Sequence, residues 1–345
     1  MNELKQLKFP AIYSQVVADF IASVPQIQSM KIPLPRIFEL LRIPQITLED
    51  PNTSLNGKQI EMLLAAGNMI ADKSERFSIQ ICRLFREDTL GLLGLALVNS
   101  ANGEEALKTF QKYIFLYSPG IDFHFNQTDS HLEVTLCPLV RFDSTVEHIL
   151  FEIIFCAVGF YIQRAGIDVQ AEFQLPYSLG EQKANFEEFT QGKLIENSAQ
   201  ARIRFPISTL ATPLARPNLA TYKLYIEQLD KQAEQARAEE SFSLKARRFI
   251  ERQAQAGIFI SREDLADEMA VSVRTLNRKL KEDKLSFQPL LDQARFAIAR
   301  RLLIETEKTT QQIAFEAGIP NATVFCRAFK KWSGKTPGDF RAQYR

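Results

Sequence analysis

Residues that bind metals or form disulfides are scarce in this chain of 345 residues, which has four cysteines and three histidines. The cysteines lie far apart and form no Cys-x-x-Cys pair, so we expect reduced thiols rather than a disulfide framework. No histidine has the spacing of a helix-borne metal ligand. We expect His124 and His131 beside a hairpin turn and His148 on a helix surface. The sequence therefore predicts no metal site and no cofactor.

Long apolar runs and nucleotide-binding motifs are also lacking. The N-terminal segment MNELKQLKFPAIYSQ has no continuous apolar stretch of the kind that signal peptides carry. The most apolar stretch, Ile149–Ile162, is too short to span a bilayer and is interrupted by Glu152, so it predicts a buried core element. There is no phosphate-binding glycine loop and no nucleophile elbow. We expect a cytoplasmic protein that is neither membrane-embedded nor an enzyme.

Charge is balanced over the whole chain but not along it. The formal net charge is +1, yet residues 241–345 hold 20 lysines and arginines against 12 aspartates and glutamates. Residues 1–240 are correspondingly acidic. A basic tail on an acidic body is typical of a polyanion-binding module joined to a module with other partners. Solvated charged faces are the alternative interpretation, and the motifs decide between the two.

Hydrophobic spacing predicts a mixed first domain. Helical spacing is found up to about residue 112, in Phe38–Leu41, Ile60–Ile70 and Ala106–Tyr117. From residue 120 to about 210, period-two alternation predicts half-buried strands. These begin at Ile121, His131 and Ala201, with a further candidate at Val169–Phe173 and a buried helix at Ile149–Gln163. Turn residues between the helical segments are Pro44, Pro51, Asn52 and Gly57.

A charged helix separates this region from the basic tail. Tyr222–Ser243 lacks glycine and proline and predicts a helical linker, with a second possible use as a dimerising helix. We therefore predict an α+β effector-sensing or dimerisation domain over residues 1–220, a helical linker over 221–243, and an all-α domain over 244–345.

The basic tail contains an internal repeat. The segment that starts at Leu265 aligns with the segment that starts at Ile313, and the second copy has one extra turn residue. Each copy predicts a short helix, a tight turn, an N-cap residue (Ser272 or Asn321) and a second helix. Gly318 can supply the left-handed conformation of the second turn. This is the layout of a helix-turn-helix unit.

The second helix of each copy has an apolar face and a polar face. The apolar stripes, predicted to face the core, are Val273, Leu276 and Leu280 in the first copy and Phe325, Phe329 and Trp332 in the second. The polar stripes are Arg274, Asn277, Arg278 and Lys281 in the first copy and Thr323, Cys326, Arg327 and Lys330 in the second. Arginine can pair with guanine and asparagine with adenine in the major groove. Two amphipathic helices with solvated faces are the alternative, but two copies in a basic domain favour DNA binding.

A long helix, Phe287–Thr306, is predicted between the copies. Its length of roughly 30 Å is close to the separation of about 34 Å between successive major grooves on one face of a duplex. We therefore expect double-stranded DNA as the partner, with both units in adjacent major grooves.

The motif Gly318…Phe325-x-Arg327-x-Phe329-Lys330-Lys331-x-x-Gly334-x-Thr336-Pro337 resembles the signature of the AraC/XylS family of bacterial transcription regulators. The resemblance covers about 100 residues. It implies that Arg274, Asn277, Arg278, Thr323, Cys326 and Arg327 read bases, and that Lys279, Lys281, Lys330 and Lys331 contact phosphates. We expect activation of transcription, with RNA polymerase as a further partner, and repression stays open as the alternative. Ala322 stands where a longer polar side chain is common, so base reading and backbone clamping both stay open for the second unit.

The first domain is similar to a long sensor domain found in one branch of this family, through Gly91-Leu-Leu-Gly, Phe186-Glu-Glu-Phe and Leu210-Ala-Thr-Pro. The resemblance implies a small-molecule effector of unspecified identity and a possible homodimer. Two alternatives stay open: a constitutive regulator whose first domain only dimerises or binds a protein, and an enzyme with a fused DNA-binding tail.

Overall fold

A computed structural model describes residues 3–31, 33–43 and 53–344. The chain divides into two compact units, Glu3–Glu196 with Ala201–Glu239, and Asn197–Gln200 with Glu240–Arg345. The first unit contains helices and strands and the second is helical, which confirms the predicted fold classes. The predicted turn residues Pro44, Pro51 and Asn52 lie outside the described residues.

Eleven described helices belong to the first unit. They are α1 (Glu3–Gln6), α2 (Ile12–Ser23), α3 (Pro25–Met30), α4 (Leu34–Leu40), α5 (Gly57–Ile70), α6 (Phe77–Cys82), α7 (Gly91–Asn99), α8 (Gly103–Tyr113), α9 (Ser144–Arg164), α10 (Lys183–Thr190) and α11 (Leu219–Glu239). Short 3₁₀ helices lie at Ile114–Leu116, Gly180–Gln182 and Ile207–Ala211. The helices predicted at Phe38–Leu41 and Ile60–Ile70 are therefore present, and the predicted Ala106–Tyr117 helix ends in a 3₁₀ turn.

A five-stranded sheet lies among these helices. Its strands are β3 (Ile121–Gln127), β4 (His131–Pro138), β5 (Glu172–Gln174), β6 (Lys193–Ile195) and β7 (Arg202–Pro206), and a separate pair is formed by β1 (Lys8–Pro10) and β2 (Ser54–Asn56). The strand order is β3-β4-β7-β5-β6, with only the β5–β6 pair parallel. The prediction of a strand at Val169–Phe173 is wrong for most of that segment. The chain leaves α9 through Gly166, which has a left-handed conformation, and this segment pairs with other strands only from Glu172 onward.

Helix α9 contains a buried glutamate, which forms an ion pair with a residue outside the helix. The Glu152 carboxylate is 1% exposed, pairs with Arg76 and accepts a hydrogen bond of 2.7 Å from the Ser78 hydroxyl. This helix has 21 residues and is long and apolar enough to span a membrane, which is true of no other described helix. Half of its most apolar part is, however, buried inside the protein. It is longer than the 14-residue run predicted from the sequence. The burial and the paired glutamate are the environment of a core helix.

The predicted linker helix packs on the first unit. Helix α11 lies against α7, with Leu229 and Ala233 buried. The Tyr113 hydroxyl donates to the Asp230 carboxylate at 2.8 Å. This segment therefore has a structural role within the first unit.

The second unit contains seven described helices around one core. They are α12 (Phe242–Gln255), α13 (Arg262–Glu268), α14 (Val273–Glu282), α15 (Phe287–Glu305), α16 (Thr310–Glu316), α17 (Ala322–Ser333) and α18 (Pro337–Tyr344). The predicted connecting helix is α15, which packs against α12, α16, α17 and α18. The core is apolar, and Leu276, Leu280, Phe325 and Phe329 are completely buried in it.

Candidate DNA-binding surface

The first helix-turn-helix unit is α13, a turn and α14. The Ser261 hydroxyl and the Asp264 carboxylate cap the start of α13 reciprocally. The turn then passes through Ala270, which has a φ of 51° although it is not a glycine. The Ser272 side chain accepts a hydrogen bond from the Thr275 backbone N–H and starts α14, as predicted.

The second unit repeats this geometry in α16, a turn and α17. Thr309 and Gln312 form the capping box of α16. Gly318 has a φ of 67° in the turn, as expected for this position. The Asn321 side chain accepts from the Val324 N–H at 2.9 Å and starts α17, and Gly334 ends that helix in the left-handed conformation.

We call α14 and α17 the first and second recognition helices. Aromatic packing anchors the second. The Phe329 ring lies 5.4 Å from Phe296 of α15 and 5.2 Å from Phe340 of α18, measured between centroids. The Trp332 ring lies 6.1 Å from Phe296. Such pairs fix the rotation of α17 about its own axis, because turning the helix would remove these rings from the core.

Arg341 and Phe259 contact α15 and the segments that follow it. The Arg341 side chain donates to the carbonyls of Leu303 and Lys308 at 3.1 and 2.6 Å, which satisfies backbone groups at and beyond the end of α15. The Arg295 guanidinium lies 5.5 Å from the centre of the Phe259 ring. The same ring covers Gly318, where an added Cβ would come within 2.2 Å of it. Phe259, from the loop before the first unit, thus packs on the turn of the second.

The first recognition helix exposes its predicted polar stripe. Arg274, Asn277, Arg278 and Lys281 are all exposed. The Arg278 guanidinium pairs with the Glu282 carboxylate one turn later at 2.5 Å. Among the described residues no ion pair involves Arg274 or Lys281.

Lys279 lies apart from that stripe. Its side chain is half-buried, and its ammonium group lies 4.7 Å from the centre of the Phe242 ring. A cation over an aromatic face is held electrostatically by the ring. Of the candidate phosphate contacts, this one is therefore already held by a protein group.

The second recognition helix exposes three of its four predicted stripe residues. Thr323, Arg327 and Lys330 are exposed, as is the neighbouring Lys331. Cys326 is half-buried and packs against the core. Its thiol therefore has less surface for a base contact than the residues beside it.

Two exposed apolar side chains were missed by the sequence reasoning. Val324 is 45% exposed beside Thr323, and Phe315 on α16 is 82% exposed. Valine methyls suit contact with a thymine methyl. The signal for Phe315 was available, because it interrupts the buried stripe of Ile313, Ala314 and Ala317.

Two family models match the chain. Residues 265–343 match a helix-turn-helix domain, and residues 32–214 match the arabinose-binding domain at the N-terminus of AraC transcription regulators.

Individual relatives agree with these matches. The chain is 23% identical over 335 residues to the ornithine utilization regulator of Pseudomonas aeruginosa, which covers 96% of each chain. It is 35% identical over 83 residues to the HTH-type transcriptional activator RhaS of Escherichia fergusonii, covering 24% of this chain and 30% of the relative. Among solved structures, the transcriptional regulator CdpR from Pseudomonas aeruginosa is similar with a TM-score of 0.47 and 18% identity, over 96% of this chain and 98% of that one.

Proposed function

This chain belongs to the AraC family of DNA-binding transcription regulators, and on that premise we propose which side chains meet the DNA. The proposal depends on one observation: both recognition helices are anchored by completely buried side chains and expose a polar, cationic stripe. We assign base reading to Arg274, Asn277, Arg278, Thr323 and Arg327. Cys326 is also assigned to base reading, but only the exposed part of its half-buried side chain is available for a base contact. Arg278 has to leave or share Glu282 to reach a guanine edge.

The lysines are assigned to the phosphate backbone. Lys281, Lys330 and Lys331 are exposed and flank the base-reading stripes. Lys279 is assigned to a phosphate that approaches the Phe242 side of α14. Neutralised phosphates release counterions, so these contacts supply affinity at any sequence.

The first unit is proposed to control DNA binding through a small-molecule effector. The match of residues 32–214 to an arabinose-binding domain supports this role. In this proposal, effector binding shifts the protein toward a state that activates transcription together with RNA polymerase. The protein acts in the cytoplasm and as a homodimer. The relative named for ornithine utilization makes ornithine one compound to include in a ligand screen.

The experiment that tests DNA recognition is selection of bound sequences from a random DNA pool by the full chain. We expect a consensus with two blocks, one for each unit. Repeating the selection with Arg278→Ala should blur one position of the first block, and Arg327→Ala one position of the second. A consensus that neither substitution alters would contradict the assignment of these two arginines.

A thermal-shift screen of the full chain against metabolites tests effector control. Stabilisation by a compound that also changes the affinity for the selected DNA supports the proposal. Failure of every compound, together with binding to a protein partner through the first unit, would favour the constitutive alternative.

A further inference from the structure

The first unit contains a partly open apolar cavity of about 230 Å³, which we call the sheet–helix cavity. Its walls come from α2, α5, α8 and α9 on one side and from β3, β4 and β7 on the other. Phe110, Phe123, Val134, Leu150 and Ile203 are representative of the lining. None of the described residues that line it carries a charged side chain.

Two tyrosine hydroxyl groups of this lining are hydrogen-bonded to carbonyls of the protein. The Tyr13 hydroxyl donates to the Tyr117 carbonyl at 2.7 Å, and the Tyr161 hydroxyl donates to the Glu87 carbonyl at 3.0 Å. Burial raises the pKa of Tyr13, Tyr117 and Tyr161 above the usual value of about 10. These phenols are therefore neutral, and a charged ligand would find no counter-charge.

Among the described lining residues, Thr209 is the one with a buried hydroxyl that lacks a partner. Its side chain is buried, and its Oγ1 atom has no hydrogen-bond partner among the described residues. A buried hydroxyl without a partner costs free energy, and a ligand atom that accepts or donates a hydrogen bond there recovers it. No hydrogen bond holds this rotamer, so rotation about Cα–Cβ can turn the hydroxyl toward the cavity.

We infer that the sheet–helix cavity binds an uncharged, mainly hydrocarbon molecule that carries one hydroxyl or carbonyl oxygen, and that the Thr209 hydroxyl hydrogen-bonds this oxygen. A dry cavity of about 150 Å³ holds benzene, so the larger volume here takes roughly ten carbon atoms. The inference rests on the proposed function in taking this molecule as the effector. Dibasic or acidic amino acids are excluded from the cavity, because burying an unpaired charge is too costly.

Isothermal titration calorimetry of the full chain with linear alcohols tests the inference directly. From 1-hexanol to 1-decanol the dissociation constant should fall by roughly fourfold per added CH₂ group, as burial of hydrocarbon requires. The fall should stop once the cavity is full, near about ten carbons. Decanoate at pH 8 should bind at least about 100-fold more weakly than 1-decanol. Equal binding of decanoate and 1-decanol, or no binding of either, would overturn the inference.

Three variants locate the site. Thr209→Val should weaken 1-decanol binding by about tenfold and raise the melting temperature of the ligand-free protein by roughly 2–4 °C, because it removes the unpaired hydroxyl. Thr212→Val, one turn later and outside the lining, should leave 1-decanol binding unchanged. It should not raise the melting temperature, because its hydroxyl already donates to the Ser208 carbonyl at 3.4 Å. Ala157→Phe, which fills the cavity from α9, should abolish alcohol binding while DNA binding persists. If Thr209→Val binds 1-decanol as tightly as the parent, the role of Thr209 is wrong.

Measuring DNA affinity with and without 1-decanol separates this inference from the proposed function. Alcohol binding that leaves DNA affinity unchanged supports the cavity assignment and contradicts effector control. Conversely, a charged metabolite that alters DNA affinity while alcohols fail to bind supports effector control and overturns the cavity assignment.

Discussion

At the residue scale, Arg278 has a partner of its own before DNA is present. The ion pair with Glu282 is exposed and worth little in stability, so it can be exchanged for a base contact. Arg278→Ala should cost about 1–3 kcal/mol on the selected site and relax preference at one base pair. Binding measured on specific and random duplexes distinguishes the roles, because equal losses on both would make Arg278 a phosphate contact.

Glu282→Gln is the companion variant. It frees Arg278 and removes a negative charge from the DNA-facing helix, so affinity should rise by a few-fold on both duplexes. A fall in affinity for the selected duplex alone would show instead that Glu282 orients Arg278 for base reading.

Lys330 and Lys331 belong to the same scale. Each lysine-to-glutamine change should reduce the slope of log K against log salt by about 1, because one phosphate contact fewer releases one counterion fewer. The measurement is a binding titration over a range of salt concentrations. Lys223→Gln on α11 is the matched control and should leave the slope unchanged.

His148 provides a pH prediction. Its ring stacks on Tyr177 at 3.6 Å, and burial, with Arg76 nearby, lowers its pKa below the usual 6.5, although Glu152 opposes this. The folded state thus binds this proton less readily than the unfolded state does. Its contribution to stability is present above about pH 6.5 and is lost as the pH falls through the lowered pKa.

Urea denaturation between pH 7.5 and 5.5 checks this sign. The parent should lose more free energy of unfolding over that interval than His148→Phe, which keeps the stacking but cannot titrate. His131→Gln, at the hairpin turn, should behave as the parent. A parent that gains stability on acidification would contradict the direction of the shift.

At the element scale, the turns of the two helix-turn-helix units have the same left-handed backbone conformation at different residue types. Ala270 and Gly318 both have positive φ, but only the glycine does so without a steric penalty. Ala270→Gly should therefore raise the free energy of unfolding by about 0.5 kcal/mol after the extra entropy of the unfolded chain is counted. Gly318→Ala should lower it by about 3 kcal/mol, since its Cβ also meets the Phe259 ring. Urea denaturation measures both, and a destabilised Ala270→Gly would contradict the left-handed turn.

The turns also show which features sequence patterns predict. The caps at Ser272 and Asn321 and the stripes of α14 and α17 follow from local rules, because hydrogen-bonding side chains and helical periodicity act within a few residues. The positive φ of Ala270 ends α13 in a left-handed C-cap, in which the Val271 N–H donates to the Ala266 carbonyl at 2.9 Å. Alanine has no preference for that conformation, so its residue type does not predict it. Likewise, the ring of Phe242 lies far from Lys279 in sequence, so their contact was invisible to pattern reasoning.

Strands and cavities were harder to predict for the same reason. The short β5 and β6 exist because they pair with each other and because β5 also pairs with β7, and neither has a periodic pattern long enough to detect. Most of the chain's 26 phenylalanines lie before residue 240, a composition that by itself indicates a core and not a cavity. Composition predicts that these side chains are buried. Whether a cavity remains between them depends on how elements that are distant in sequence pack together.

At the scale of the whole second unit, α15 determines how far apart the recognition helices can act. It has 19 residues, or about 28 Å of helix, and Phe259, Arg341 and the aromatic cluster fasten its neighbours to it. A rigid connection of fixed length and a flexible tether predict different affinities when the spacing between the two DNA blocks is changed.

The selected operator should therefore contain two blocks about 10 base pairs apart, centre to centre. Inserting about 5 base pairs between them moves the second block to the opposite face of the duplex, and affinity should fall to that of a site with one block. Inserting about 10 base pairs restores the face but not the distance, so a rigid second unit should regain nothing, whereas a flexible tether would regain most of the loss. Binding titrations on the three duplexes measure this, and recovery with the longer insertion would show that α15 does not fix the spacing.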